Sequence, residues 1–191
     1  LVMPKSVTVE RQRLCEAYGA TLVLSDPFEG SDGAQRLARW MATENPDRYF
    51  YTAQYDNPEN PLAHYRTTAV EIWHQTRGAI THFVAGLGTS GTVAGTGRRL
   101  RELNSAVRIV AVEPNTGLHG IEGLKHMATA IRPGIFDESI YDEKVPCSTE
   151  DAVHHAALLL EREGIFAGHS SGAAVFGAVH VARRLDEGIV V

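Results

Sequence analysis

The stretch ITHFVAGLGTSGT, residues 80–92, decides the fold of this chain. Its first half, Ile80–Ala85, is a continuous apolar run, which is typical of a strand covered on both faces of a sheet. The glycine, threonine and serine residues that follow predict a tight turn, and the pattern up to Leu103 predicts a helix. A second apolar run, Val107–Val112, predicts the next strand. This strand–turn–helix–strand order predicts a parallel α/β sheet.

The same alternation extends in both directions from this stretch. Before it, the sequence predicts helices over 6–18 and 31–45, strands at Ala20–Ser25 and Tyr49–Ala53, and one helix that begins at Pro61. After it, we expect a long loop over 114–138, helices over 148–163 and 171–185, a short strand at Ile165–Ala167 and the beginning of a strand at Ile189–Val191. Two expectations concern packing: Cys15 should lie in the core, and the helix over 148–163 should have an inner face formed by Val153, Ala156, Ala157 and Leu160.

The run Asp56–Pro61 has the composition of a linker. We therefore expect residues 1–57 to be part of a small N-terminal lobe and residues 58–191 to be part of a larger domain. Leu1–Pro4 resembles the tail of a strand and Ile189–Val191 the head of one. Since both runs look like parts of strands, we expect the fold to be incomplete at both ends. A parallel sheet that lacks these strands would have open apolar edges.

Composition excludes several classes of function. Hydrophobic residues make up 43% of the chain, charged residues make up 21%, and the net charge is −5. Since no basic run and no long apolar stretch occurs, we expect neither a nucleic-acid partner nor a membrane partner. The two cysteines share no motif spacing and the nine histidines show no metal-ligand spacing. We therefore expect a cytoplasmic protein with no metal site.

The turn Gly88-Thr89-Ser90-Gly91-Thr92 has three interpretations. Between a buried strand and a helix, free backbone N–H groups and the positive end of the helix dipole favour a bound phosphate. A plain strand–helix turn is the simplest alternative. The third interpretation is a dinucleotide site, because Gly86, Gly88 and Gly91 spell G-x-G-x-x-G after a strand. Glu113 then follows where an acid would meet a ribose hydroxyl.

A second small polar turn, Gly168-His169-Ser170-Ser171-Gly172-Ala173, precedes the last predicted helix. By itself it is explained by Ser170 or Ser171 capping that helix. A dinucleotide enzyme has no obvious use for a second turn of this kind.

Several motifs, in order along the whole chain, resemble the cysteine synthase (O-acetylserine sulfhydrylase) family. They are Gln54-Tyr55-Asp56-Asn57-Pro58, the loop Gly88–Thr92, and Glu163–Gly168 followed by Ser170-Ser171-Gly172-Ala173. Gly120–Lys125 and Pro133–Phe136 are similar to the B-type branch of that family. The resemblance implies the fold type II architecture of pyridoxal-phosphate enzymes, which is like that of the tryptophan synthase β subunit.

The resemblance also implies a function and a set of site residues. The cofactor would be pyridoxal 5'-phosphate, with its phosphate in Gly88, Thr89, Ser90, Gly91 and Thr92 and its ring nitrogen facing Ser170. The reaction would be β-replacement, in which acetate or phosphate leaves O-acetylserine or O-phosphoserine and a sulfur donor adds to give L-cysteine. Gln54 would lie near the substrate carboxylate. Lys125 would either contact the leaving group or be a solvated lysine, and the full-length protein would be a homodimer.

The lysine that carries the cofactor in this family is not among the motifs found here. Lys5, Lys125 and Lys144 are the three lysines of the chain, and none has the neighbours of the family motif. We therefore expect that residues 1–191 alone cannot form the Schiff base and are inactive, and the catalytic residue stays unknown. The alternatives are a cystathionine β-synthase-like lyase, a nicotinamide dehydrogenase and a non-catalytic binding remnant.

Overall fold

The computed structural model describes residues 1–191, which divide into two compact units, Leu1–Ala53 and Gln54–Val191. They are called the N-terminal unit and the C-terminal unit below. That they are parts of the two lobes of an enzyme stays a prediction. No helix of the structure is both long enough and apolar enough to cross a membrane.

The N-terminal unit is built on two short parallel strands. Its elements are β1 (Val2–Pro4), α1 (Val9–Ala17), β2 (Val23–Ser25) and α2 (Gly30–Glu44), with a 3-10 turn at Pro27–Glu29. Thr8 caps α1, because its hydroxyl accepts a hydrogen bond from Arg11 N at 3.4 Å. The chain leaves α1 through Gly19, which has a φ of +85°.

Two predictions in this unit are wrong. Cys15 is only half-buried, and α1 as a whole buries none of its residues, so Cys15 is not in a core. The segment Tyr49–Ala53 forms no strand: Phe50 is exposed and Ala53 has a φ of +49°. Aromatic and β-branched residues favour a strand locally, but here no neighbouring strand pairs with them.

The C-terminal unit contains a three-stranded parallel sheet with helices on both faces. Its elements are α3 (Glu59–Arg66), α4 (Thr68–Gln75), β3 (His82–Gly86), α5 (Gly91–Leu103), β4 (Arg108–Pro114), β5 (Glu143–Cys147), α6 (Thr149–Glu163) and α7 (His169–Ala182), with a 3-10 turn at Glu138–Ile140. The strand order is β3-β4-β5, with Gly86 opposite Val112 and Val112 opposite Val145. Beyond β3, Val190 forms a single parallel bridge to His82.

The core lies on both faces of this sheet, because neighbouring residues in a strand point to opposite faces. Phe83 and Ala85 join a buried cluster with residues of α4 and α5, whereas Val84 joins one with residues of α6 and α7. The continuous apolar runs are therefore strands covered on both sides, as predicted. Because all three strands are parallel, their carboxyl ends share one edge of the sheet, where ligands bind in α/β folds.

The C-terminal unit departs from the predicted elements in a few places. The helix expected from Pro61 is divided at Thr67, whose backbone is not helical. Strand β5 was not predicted, because its two charged residues and Pro146 disguise it; proline is tolerated there since β5 is at the edge of the sheet. Ile165–Ala167 is not a strand, and Phe166 is exposed.

The inner face predicted for α6 is also partly wrong. Ala156 is buried, but Val153, Ala157 and Leu160 are exposed, and the other buried position is Ala152. Small residues form the contact because α7 lies very close: a Cβ on Gly172 would collide with the Ala152 carbonyl oxygen.

Candidate active site

The loop Gly88–Thr92, called the phosphate loop below, joins the carboxyl end of β3 to the start of α5. Helix α5 begins at Gly91, so the free N–H groups of its first turn and the positive end of its dipole face the loop. Ser90 precedes the helix in the left-handed conformation, with a φ of +71°. Such backbone strain in a non-glycine residue is concentrated at functional sites.

Two glycines of the phosphate loop are required by close approach. A Cβ on Gly88 would collide with the carbonyl oxygen of Gly123, and a Cβ on Gly91 would collide with Asn60 Oδ1. Any side chain at either position would displace a neighbouring segment. The glycines therefore keep the loop in contact with the segment 120–125 on one side and with α3 on the other.

Ser90 carries a buried hydroxyl without a protein partner. The residue is only 4% exposed, and its Oγ makes no hydrogen bond, not even as a cap for α5. A buried polar group left unsatisfied costs about 1–3 kcal/mol. A hydroxyl held at this cost beside a helix N-terminus fits a ligand that accepts its hydrogen bond, such as a phosphate oxygen.

Thr89 is held by α3. Its Oγ1 accepts hydrogen bonds from Asn60 Nδ2 at 3.0 Å and from Gly91 N at 3.3 Å. The same Asn60 amide donates to the carbonyl oxygen of Gln54 at 2.7 Å. One side chain thus connects the phosphate loop to the segment that carries Gln54.

Thr92 is paired with a histidine of the same helix α3. The Thr92 hydroxyl lies 3.2 Å from His64 Nε2, and His64 Nδ1 lies 3.0 Å from the Thr68 hydroxyl. Burial lowers the pKa of His64, so the neutral ring has one donor and one acceptor nitrogen. In the tautomer with the proton on Nε2, His64 donates to Thr92, and the Thr92 hydroxyl hydrogen stays free for an anion.

Ser170 lies in the first turn of α7. Its Oγ is 4.0 Å from the point where a Cβ of Gly123 would be, and Gly123 contacts Gly88. The segment 120–125 therefore connects the two small polar turns that the sequence singled out. It is held at the sheet edge because Lys125 N donates to the Leu87 carbonyl oxygen at 2.8 Å.

The two predicted substrate residues have different surroundings. Gln54 is exposed, and its backbone carbonyl accepts from Asn60. Lys125 is only 4% exposed: its Nζ lies 3.4 Å from the Ile131 carbonyl oxygen and 4.9 Å from the centre of the Tyr55 ring. The interpretation of Lys125 as a solvated lysine is therefore wrong, because the lysine ammonium is held under an aromatic ring by a cation–π contact.

Glu113 does not face a nucleotide. It is only 6% exposed; its Oε1 pairs with Lys144 Nζ at 2.7 Å, and its Oε2 accepts from Met127 N at 3.1 Å. The hydrogen bond from Lys144 to Glu113 raises the pKa of Lys144, as expected for a stable pair. Since both carboxylate oxygens have protein partners, Glu113 fixes the segment around Met127 and is not placed for a ribose hydroxyl.

Asn60 and His64 are site residues whose roles sequence reasoning missed. They are one helical turn apart on α3, and they face Gly91 and Gly95, one turn apart on α5. A Cβ on Gly95 would collide with the carbonyl oxygen of Pro61, so the backbones of the two helices approach each other closely at this point. The matched spacing is the signal that could have revealed them, since residues four apart share a helix face.

Comparison with known families gives the class of protein. The profile of the family described as "Pyridoxal-phosphate dependent enzyme" matches residues 1–191. The chain belongs to this family. The fit is supported by the site itself, because the phosphate loop offers a helix N-terminus, an unpaired buried Ser90 hydroxyl and a hydroxyl on Thr89 whose hydrogen has no acceptor in the protein.

The similar sequences include several cysteine synthases. The chain is 47% identical to "Cysteine synthase" of Aquifex aeolicus, with all of this chain and 60% of that protein aligned. It is 43% identical to "Cysteine synthase B" of Escherichia coli, with all of this chain and 62% of that protein aligned. The chain thus spans about 60% of the length of these curated relatives.

Solved structures of related enzymes have the same fold. Cysteine synthase from Entamoeba histolytica superposes with a TM-score of 0.88 at 36% identity, over 99% of this chain and 58% of that one. O-ureido-L-serine synthase superposes with a TM-score of 0.88 at 39% identity, over 99% of this chain and 61% of that one. The predicted fold type II architecture is thereby confirmed.

Proposed function

We propose that the full-length protein is a cysteine synthase that catalyses β-replacement on O-acetylserine or O-phosphoserine with a sulfur donor to give L-cysteine. The observation that carries the proposal is the phosphate loop, with its buried unpaired Ser90 hydroxyl at the start of α5. The similarity to cysteine synthases over the whole chain supports it. The closeness of Gly88, Gly123 and Ser170 also supports it, because it brings both small polar turns to one site.

The chain's own residues would hold the cofactor at two points, its phosphate and its pyridine nitrogen. The phosphate loop would hold the phosphate through backbone N–H groups and the hydroxyls of Thr89, Ser90 and Thr92. Ser170 would hydrogen-bond to the pyridine nitrogen. A neutral hydroxyl does not hold that nitrogen protonated as a carboxylate would, and this suits β-elimination better than transamination. When bound, pyridoxal phosphate supplies the electron withdrawal that allows the leaving group to depart.

Gln54 and Lys125 would act on the amino-acid substrate. The exposed Gln54 side chain would hydrogen-bond to the substrate carboxylate. Lys125 would interact with the leaving group, and its positive charge favours a phosphate over an acetate. If so, Lys125→Met lowers the rate with O-phosphoserine more than the rate with O-acetylserine. An equal effect on both donors would remove this role from Lys125.

Neither alternative enzyme class is favoured by an observation at the site. A nicotinamide dehydrogenase would need Glu113 for the ribose, but both its oxygens are paired. A cystathionine β-synthase-like lyase is distinguished by comparing the rates with two nucleophiles, because such an enzyme would react faster with homocysteine than with sulfide. A binding remnant would bind pyridoxal phosphate without turnover, and borohydride would not fix the cofactor to a lysine.

The experiment is an activity assay of the full-length protein loaded with pyridoxal phosphate. The protein is incubated with O-acetylserine or O-phosphoserine and sulfide, and L-cysteine is measured. We expect cysteine to form, and Gly88→Val, which forces a side chain into the Gly123 carbonyl, to abolish it. Cofactor binding without cysteine formation from either donor would contradict the proposal.

We further propose that the full-length protein is a homodimer in the cytoplasm. The support for both statements is the resemblance to cysteine synthases, together with cysteines that form no disulfide. Sedimentation of the full-length protein tests the first statement, since a monomer at micromolar concentration would contradict it. Fractionation of the source cells tests the second.

A further inference from the structure

Helix α3 approaches the phosphate loop with the side-chain amide of Asn60. Asn60 Nδ2 lies 2.7 Å from the carbonyl oxygen of Gln54 and 3.0 Å from Thr89 Oγ1. A backbone carbonyl can only accept a hydrogen bond, so the NH₂ group of the amide must face it. The two amide hydrogens are therefore directed at Gln54 O and Thr89 Oγ1, and this orientation does not depend on which ligand is bound.

The Thr89 hydroxyl is constrained as a result. A threonine hydroxyl has one hydrogen to donate and two lone pairs that accept. At Thr89 the lone pairs receive Asn60 Nδ2–H and the Gly91 N–H, the latter at 3.3 Å. The hydroxyl hydrogen has no acceptor in the protein and can only be donated to something else.

We infer that Asn60 is a positioning residue for the cofactor phosphate: by donating to Thr89 Oγ1, it makes the Thr89 hydroxyl an obligatory donor to a phosphate oxygen. The inference rests on the proposed function, because it presumes pyridoxal phosphate in the loop. Without Asn60, the hydroxyl of Thr89 has a free lone pair and a wider choice of rotamers. The entropy cost of fixing that hydroxyl toward the phosphate then offsets part of the free energy of the hydrogen bond.

The test is a double-mutant cycle on the full-length protein, with the affinities for pyridoxal 5'-phosphate and for pyridoxal measured in parallel. Pyridoxal lacks the phosphate, so the ratio of the two affinities isolates the phosphate site. We expect Asn60→Ala to lower the affinity for pyridoxal phosphate about tenfold and to leave the affinity for pyridoxal unchanged. A tenfold loss is of the order expected when a hydrogen bond to a charged group is weakened. In a Thr89→Val background, Asn60→Ala should have no further effect.

A second substitution keeps the size of the side chain and reverses its chemistry. Asn60→Asp offers only acceptor oxygens, so the Thr89 hydroxyl would donate to the carboxylate instead of the phosphate. We expect a larger loss than with Asn60→Ala, because charge repulsion adds to it. Asn104→Ala is the matched control. It also removes a side-chain amide that hydrogen-bonds to the backbone, because Asn104 Oδ1 accepts from Ala106 N at the other end of α5. It should leave the affinity ratio unchanged.

The possible failures are distinguishable. If the unsubstituted protein binds pyridoxal as tightly as pyridoxal phosphate, the proposed function fails and this inference fails with it. If it prefers the phosphate form but Asn60→Ala weakens both ligands equally, or neither, Asn60 has only a structural role and the inference alone is overturned. An additive loss in the Thr89→Val background would likewise show that Asn60 does not act through Thr89.

Discussion

Ser90→Ala should stabilise the cofactor-free protein and weaken cofactor binding. The Ser90 hydroxyl is buried without a partner, and such a group costs about 1–3 kcal/mol. Alanine keeps the Cβ, so the strain at a φ of +71° is unchanged and only the hydroxyl is removed. We expect the free energy of unfolding without cofactor to rise by about 1 kcal/mol. With the phosphate bound, the same substitution removes a charge-assisted hydrogen bond of about 1.5–3 kcal/mol.

The assay has two parts. Urea denaturation of the cofactor-free, full-length protein gives the change in stability, and equilibrium titration with pyridoxal phosphate gives the change in affinity. Thr96→Val is the matched control, because Thr96 also has a buried unpaired hydroxyl but lies inside α5, beyond the loop. It should stabilise the protein by a similar amount and leave cofactor affinity unchanged.

The reasoning would be refuted if Ser90→Ala destabilised the cofactor-free protein by more than about 1 kcal/mol, because the hydroxyl would then have a structural partner. It would also be refuted if the variant bound pyridoxal phosphate as tightly as the unsubstituted protein. A loss of affinity in Thr96→Val equal to that in Ser90→Ala would show that the effect is not specific to the loop.

Three further predictions concern the surroundings of the site. Glu113→Ala should lower the free energy of unfolding by about 1–3 kcal/mol in urea denaturation, because the buried Met127 N–H loses its acceptor. Glu113→Gln should lower it by less, since the glutamine can still accept from Met127 N. Burial lowers the pKa of His64 below its ordinary value of 6.5, so His64 is protonated at a lower pH in the folded state than in the unfolded state. The stability advantage over His64→Gln should be full above pH 6.5 and decline as the pH falls from there through the folded pKa, and a pH series of unfolding curves with no such difference would contradict this. Burial raises the pKa of Cys147 to about 11, so an alkylating reagent at pH near 8 should label Cys147 only after unfolding, as mass spectrometry of labelled peptides can check.

The part of the fold around the phosphate loop could be predicted because its signals are local. Phe83–Ala85 and Ile109–Val112 are apolar and buried because both faces of the sheet are covered, and the turn between the two strands is rich in glycine and hydroxyl groups. Strand β5 gave no such signal, because an edge strand can hold charged residues and a proline. Its existence depends on pairing with β4, which local sequence does not show.

The residues that support the site were harder to predict than those of the loop. Asn60 and His64 matter because α3 packs on α5 at Gly91 and Gly95, and this contact is tertiary. The burial of Lys125 likewise depends on Tyr55 and on the course of the loop over 114–138. A lysine in a polar loop is ordinarily solvated, so nothing in the local sequence distinguishes it.

The central claim is that the loop Gly88–Thr92 binds the phosphate of pyridoxal phosphate. The most direct test is equilibrium binding to the full-length protein of pyridoxal phosphate, pyridoxal and a nicotinamide dinucleotide, followed by tryptophan fluorescence or, for the pyridoxal compounds, visible absorbance. We expect pyridoxal phosphate to bind at least about a hundredfold more tightly than pyridoxal, since several hydrogen bonds to a dianion are gained, and the dinucleotide not to compete. Equal affinity for the two pyridoxal compounds, or tighter binding of the dinucleotide, would contradict the claim.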